Sequence, residues 1–313
     1  MKVASYNGCK VYNLSSGKTA PQWMSQSKRK ALQKDDEYRR RVELIQDFEN
    51  NTASQCIAMT RDCEHIILTG TYPPVVKCFT TTDMAMKFQR GLTCEIVAME
   101  TLSDDFGKLV FLQSDRSLSF HAPYGTHYSL RVPRFGRDLV YNRENCDLYV
   151  GGNGNEVYRL NLESGQFREP LTIGFEGVNK MHINPVHGLL GLAGDGGVCE
   201  FWDPRSKSPV SRLTLDNPLG GNMSATEIKF DTDGLTMAVG TSNGLVYLYD
   251  IRSRNPVYSK EHQYNLPIVN ITYHASSQTL LTADKKVMKI WSRSSPDMGK
   301  VLTNIETPSD INS

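Results

Sequence analysis

Two stretches of this chain repeat one another: Phe201-Trp202-Asp203-Pro204-Arg205-Ser206, followed by Pro209-Val210, and Leu248-Tyr249-Asp250-Ile251-Arg252-Ser253, followed by Pro256-Val257. The same frame fits Arg159-Leu160-Asn161-Leu162-Glu163-Ser164-Gly165 and Ile290-Trp291-Ser292-Arg293-Ser294, and more loosely Cys78-Phe79-Thr80 and Ser119-Phe120-His121. With the aspartate-like position as marker, the repeat falls at 80, 121, 161, 203, 250 and 292, a period of about 40 to 47 residues. A chain built this way cannot be read by dividing its 313 residues into average domains, because each unit needs its neighbours to cover its apolar faces.

The turn chemistry decides what the unit is. Asn153-Gly154, Asp195-Gly196 and Asn243-Gly244, with Asp115-Arg116 and Asp284-Lys285 as weaker versions, stand shortly before the markers. Asn-Gly and Asp-Gly tolerate positive φ and suit tight β-hairpins, which argues against a helical repeat of similar length. Before each turn lies a strand-length apolar run, such as Leu109–Leu112, Leu148–Val150, Leu189–Leu192 or Met237–Val239. Alternating segments lie upstream again, among them Ile228-Lys229-Phe230 and Ile268–Ile271. Each repeat therefore reads as four strands, and the expectation is an all-β, WD-repeat-type β-propeller with six full blades between about Ser54 and Asn304. In it Trp202, Asp203, Arg205, Tyr249, Asp250, Arg252 and Trp291 are blade-structural residues.

Val11-Tyr12-Asn13-Leu14-Ser15-Ser16-Gly17 falls on the frame of Arg159 to Gly165, and Glu43–Phe48 reads as its outer strand. This predicts an N-terminal half-blade of two strands, in residues 1–20 and 42–53, belonging to a closing seventh blade. Residues 54–305 hold the six blades, and 306–313 read as the truncated start of the seventh. The segment 21–41 has Pro21 near its start and helix formers after it, and is expected to form a basic helical insertion.

Lysine and arginine number 35 against 34 acidic residues, so any attraction to a polyanion must be local. The local candidate is Lys28, Arg29, Lys30, Lys34, Arg39, Arg40 and Arg41, which could neutralise RNA phosphates. The plainer reading is a solvated helix face paired with Asp35, Asp36 and Glu37.

Seven cysteines, at 9, 56, 63, 78, 94, 146 and 199, make no C-x-x-C pair and read as reduced thiols, most of them buried in apolar stretches. The seven histidines have no metal-ligand spacing, and no G-x-S-x-G elbow is present. Gly151-Gly152-Asn153-Gly154 and Gly194-Asp195-Gly196-Gly197 look like phosphate loops, but they join strand to strand instead of opening a helix. The expectation is a protein without catalytic residues, cofactor, metal, membrane span or small-molecule substrate.

The string Pro21-Gln22-Trp23-Met24-Ser25, Lys28–Lys34 and Arg39–Glu49 closely resembles the N-terminus of the nucleolar protein ten family. Further matches include Ile67–Tyr72, Pro133-Arg134-Phe135-Gly136-Arg137-Asp138, Glu156–Glu163, Trp202–Arg205 and Leu235–Thr241, so the resemblance spans essentially the whole chain. It implies a nucleolar WD-repeat protein of the small-subunit processome: a scaffold in rRNA processing that assembles with processome proteins and with pre-ribosomal RNA, directly or through proteins. The rival on the same fold is a substrate receptor of a cullin-type ubiquitin ligase. Trp202-Asp203-Pro204-Arg205, and loosely Tyr249-Asp250-Ile251-Arg252, fit the W-D-x-R pattern of such receptors. The structural alternative there is an aspartate that ends a strand and bonds the backbone of the next turn.

Overall fold

The computed structural model describes residues 2–6, 9–13, 25, 27–28, 31, 43–45, 50, 52–82, 85–206, 208–216, 220, 222–293, 298–307 and 310–312. They form an all-β β-propeller fold with six four-stranded antiparallel blades and one three-stranded sheet. Two compact units are distinguished, Met1–Leu92 and Thr93–Ser313.

In the first unit, β1 (Lys2–Tyr6), β2 (Cys9–Asn13) and β3 (Glu43–Ile45) pair in the order β1-β2-β3. The expectation of a two-strand half-blade is corrected here: Val11 to Asn13 is paired on both sides, with Ala4 opposite Val11 and Glu43 opposite Asn13. Blade 1 follows, made of β4 (Ser54–Met59), β5 (His65–Gly70), β6 (Val75–Thr80) and β7 (Ala85–Gly91).

The second unit holds five blades. Blade 2 is β8 (Ile96–Thr101), β9 (Leu109–Gln113), β10 (Ser117–Ala122) and β11 (Gly125–Arg131). Blade 3 is β12 (Gly136–Asn142), β13 (Asp147–Gly152), β14 (Glu156–Asn161) and β15 (Gln166–Thr172). Blade 4 is β16 (Val178–Ile183), β17 (Leu190–Gly194), β18 (Val198–Trp202) and β19 (Pro209–Thr214). Blade 5 is β20 (Ala225–Phe230), β21 (Thr236–Thr241), β22 (Leu245–Asp250) and β23 (Pro256–Glu261). Blade 6 is β24 (Ile268–His274), β25 (Thr279–Asp284), β26 (Val287–Ser292) and β27 (Val301–Glu306).

Within this unit the first strands of successive blades lie side by side, and the fourth strands face solvent. Second strands such as β13 (Asp147–Gly152) and β17 (Leu190–Gly194) are buried along their whole length, because a neighbouring blade of the same unit covers each of their faces. The core accordingly sits between blades. Leu112 and Leu118 pack with Leu148 and Val150 between blades 2 and 3, and Tyr149 with Leu192 and Trp202 between blades 3 and 4. Phe201 packs with Phe230 and Met237 between blades 4 and 5, and Leu248 with Leu280 and Trp291 between blades 5 and 6. Each fully buried aliphatic side chain stabilises by about 1.5–3 kcal/mol, and here that gain is available only when two blades meet.

Two irregularities recur. In all six blades the pairing of first and second strands shifts register near the start of the first strand, and the pairing of third and fourth strands shifts once as well. The outer bulge twists an edge strand away from edge-to-edge pairing, and the inner one re-aims a side chain.

Candidate functional site

The marker residues end the third strands and hold the turns that follow. Trp202 and Tyr249 are buried at 2% and 1% exposure. Asp203 Oδ1 accepts the Arg205 N–H at 2.9 Å, and Asp250 Oδ1 accepts the Arg252 N–H at 3.0 Å, so both carboxylates close the next turn. That backbone bond is the first cause holding the Asp250 carboxyl below its ordinary range. Arg205 is exposed, and the Arg252 side chain, 69% exposed, reaches back to Asp250 at 3.3 Å.

Trp291 belongs to a buried chain of hydrogen bonds. Its indole Nε1–H donates to Thr282 Oγ1 at 2.7 Å, and the Thr282 hydroxyl meets His262 Nε2 at 2.8 Å. His262 Nδ1 lies 3.0 Å from Asp284 Oδ2, while Asp284 Oδ1 accepts the N–H groups of Lys286 and Val287 at 2.6 and 2.7 Å. Burial pulls the His262 pKa down, with Asp284 opposing, so the ring is neutral: Nδ1–H donates to the carboxylate and Nε2 accepts from the hydroxyl. Thr282, His262 and Asp284 have the order of a hydroxyl–histidine–carboxylate nucleophile set. They are 0–1% exposed, however, and tie the β23–β24 connection to the β25–β26 turn, so no substrate reaches the hydroxyl. The sequence shows Asp284 and Trp291 but not this pairing, which needs residues 20 and more apart to be brought into register.

The inner bulges carry polar side chains from blade to blade. Arg137 Nη1 donates to Asn179 Oδ1 at 2.6 Å and lies 3.3 Å from Asp195 Oδ2. Asn179 Nδ2 donates to the Ala225 carbonyl at 2.9 Å, and the Thr226 hydroxyl to the Ile268 carbonyl at 2.8 Å. The bulge positions of blades 3, 4 and 5 thus each bond the next blade. Deeper on the same strands, Asp138 accepts Lys180 Nζ at 3.2 Å and the Met181 N–H at 2.7 Å. At the other end of the blades, Arg293 reaches Asp231 of blade 5, Asn184 Nδ2 donates to the Gly234 carbonyl at 2.8 Å, and Arg143 bonds Asp104 at 2.6 Å.

Glu227, on β20, is buried, and burial pushes its carboxyl up to about 7 against the pull of Lys180 and Lys229. The folded state therefore binds more protons than the unfolded chain between the ordinary carboxyl value of 4.5 and about 7, and stability falls as pH rises through that window. Glu227→Gln cannot ionise, so its stability relative to the parent is expected to improve by about 3 kcal/mol between roughly pH 4 and pH 8. Urea unfolding across that range measures it, and a pH-independent difference between the two proteins would contradict it.

Of the basic run, Lys28 is described: it is exposed, and Ser27, Lys28 and Ala31 have helical backbone. Arg29, Lys30, Lys34, Arg39, Arg40 and Arg41 lie outside the described residues. Asp62, Glu64 and His65 bring ligand-type atoms within 4.8 Å of one another, but Lys87 Nζ stands 3.1 Å from His65 Nε2 and Asp62 Oδ1 takes the Glu64 N–H at 2.9 Å. An ammonium at that point opposes a cation. The cysteine expectation is corrected: Cys78 and Cys199, on third strands, are buried, Cys56 is half-buried on a first strand, and Cys94 and Cys146, half-buried, and Cys63, exposed, lie in the connections between strands.

Known proteins match this arrangement along its length. The family description "Nucleolar protein 10-like, N-terminal domain" matches residues 2–313. The chain is 44% identical to Nucleolar protein 10 of Xenopus tropicalis and 43% identical to that of Homo sapiens, in matches taking in 100% of this chain and 46% of each relative. It is 43% identical to Ribosome biogenesis protein ENP2 of Saccharomyces cerevisiae, over 100% of this chain and 45% of the relative. The chain spans about half the length of the curated relatives it matches.

Proposed function

This chain belongs to the nucleolar protein 10-like family, and on that premise we propose that it is a non-catalytic scaffold of small-subunit ribosome biogenesis, working in the nucleolus with processome proteins and pre-ribosomal RNA. The observation that carries this reading is the 43% identity, across 100% of the chain, with a relative named a ribosome biogenesis protein. The use made of the buried polar groups supports a scaffold: the hydroxyl, imidazole and carboxylate of Thr282, His262 and Asp284 hold strands together and are closed to solvent. The W-D-x-R arginines do not favour the ubiquitin-ligase rival, since Asp203 and Asp250 are engaged in their own turns. In this reading the basic run of residues 21–41 meets RNA phosphates.

Ultraviolet crosslinking followed by sequencing of the bound RNA tests it. Pre-ribosomal RNA is expected to be enriched, and alanine at Arg39, Arg40 and Arg41 is expected to weaken RNA or particle binding several-fold and flatten its salt dependence. Crosslinks spread over bulk RNA would overturn the role in pre-ribosome assembly. Unchanged salt dependence would remove the basic segment from it.

A further inference from the structure

The end of blades 2 and 3 that carries the turns between their second and third strands presents a group of arginines around an exposed aromatic ring. Residues 132–135 join β11 to β12, and Phe135 in this connection is 59% exposed. Its backbone is fixed. The Phe135 carbonyl accepts the Asn153 N–H at 3.0 Å, and Gly152 packs so closely that a Cβ there would sit 2.1 Å from the Phe135 oxygen. A large apolar ring held out to water on a pinned backbone is a prepared contact surface with little ordering entropy left to lose on binding.

Four arginines stand at this end of the two blades, and the guanidinium of one lies over the ring. Arg116, at the β9–β10 turn with φ of 71°, donates from Nη1 to the Pro133 carbonyl at 2.9 Å and places its Cζ 5.4 Å from the Phe135 ring centroid. Arg131 donates from Nε to the Asp115 carbonyl at 3.3 Å. Arg134 is exposed and packs against the β13–β14 turn, where a Cβ on Gly154 would meet its Cδ at 3.0 Å. Arg137 reaches Asn179 and Asp195 as described. The carboxylates of this face are mostly engaged: Asp115 with the Ser117 N–H and hydroxyl, Asp195 with Arg137 and Asn179. Glu156 and Arg134 both face the Tyr158 hydroxyl. Among the described residues neither Arg116 nor Arg134 is ion-paired to a carboxylate.

We propose that this face is a single-stranded RNA contact, in which Phe135 and the Arg116 guanidinium stack an unpaired base while Arg131 and Arg134 meet the flanking phosphates. An acidic peptide would satisfy the arginines and leave the ring unused; an unpaired nucleotide uses both, because each base offers a flat π-face beside a phosphate. The inference deepens the reading of the chain as a partner of pre-ribosomal RNA and rests on it, and it assigns contact to a second place besides the basic segment at 21–41.

The test is fluorescence anisotropy of the full protein with labelled oligo-uridine, and with a duplex RNA of the same length, over a salt series. Phe135→Ala is expected to weaken oligo-uridine binding about tenfold or more, and Phe135→Trp to keep it. Arg131→Gln with Arg134→Gln is expected to reduce the salt slope by about 0.7 per arginine removed, and duplex is expected to bind more weakly than single strand in the parent. Unchanged melting temperatures would show that these surface variants fold. Parental binding by both variants would overturn the proposal while leaving the family role intact, provided pre-ribosomal RNA is still crosslinked. Equal weakening of duplex binding by Phe135→Ala would overturn base stacking. Loss of a protein from the purified particle, with oligo-uridine binding unchanged, would assign the face to that protein instead.

Discussion

Replacing Asp284 with alanine is expected to cost roughly 3–5 kcal/mol of folding stability, because three donors, two of them buried, lose their acceptor at once. The His262 Nδ1–H, the Lys286 N–H and the Val287 N–H all converge on this carboxylate, which is 0% exposed. The loss propagates: an unheld His262 no longer orients the Thr282 hydroxyl, and the Trp291 indole N–H then bonds an oxygen that is free to rotate. Asp284→Asn keeps an acceptor for the turn amides and is expected to be milder. Urea unfolding of the two variants checks the order, and equal stability of Asp284→Ala and the parent would show that the network is incidental to the fold.

A second large effect is expected at Gly152. A Cβ there would lie 2.1 Å from the Phe135 oxygen and 2.6 Å from the Gly136 Cα, both backbone atoms that cannot turn aside as a side-chain end would. Gly152→Ala is therefore expected to destabilise by about 3 kcal/mol, the upper range for an over-packed interior site. Gly91→Ala is the control: nothing lies within 4 Å of the added carbon, and it is expected to stay within about 0.5 kcal/mol of the parent. The glycines of Gly151-Gly152-Asn153-Gly154 serve close packing and a hairpin turn with φ of 145° at Gly154. If thermal melts of the two variants moved together, the close approach at Gly152 would not be a real constraint.

The repeat was readable because each blade solves the same local problem in the same words. Markers at 80, 121, 161, 203, 250 and 292 fall within a residue of the third-strand ends Thr80, Ala122, Asn161, Trp202, Asp250 and Ser292. The aspartate or asparagine there caps the turn, as Asp250 does for Arg252 and Asn161 for the Ser164 N–H at 2.8 Å. The strand Lys2–Tyr6 was missed although the sequence signals it: Asn7-Gly8 stands between Tyr6 and Cys9, which pair directly. The inner bulges were not legible, since Arg137, Asn179 and Thr226 differ in chemistry and share only a place in the pairing register. The Trp291 network was hidden for a related reason. Searching the histidines for metal-ligand spacing cannot find His262, whose partners lie on two other elements and whose role is to carry a hydrogen bond between them. Of the face around Phe135, the run Arg131-Val132-Pro133-Arg134-Phe135-Gly136-Arg137 stands in the sequence, whereas Arg116 joins it only once the β9–β10 turn and the β11–β12 connection meet.

A chain that acts by being held within an assembly, as proposed, carries its partners with it. Quantitative purification of the tagged protein from nucleoli, with mass spectrometry and RNA sequencing of what accompanies it, measures that directly. The account predicts small-subunit processome proteins and pre-ribosomal RNA in amounts comparable to the protein itself. A cullin-ligase adaptor in stoichiometric amount, with pre-ribosomal RNA absent, would contradict it.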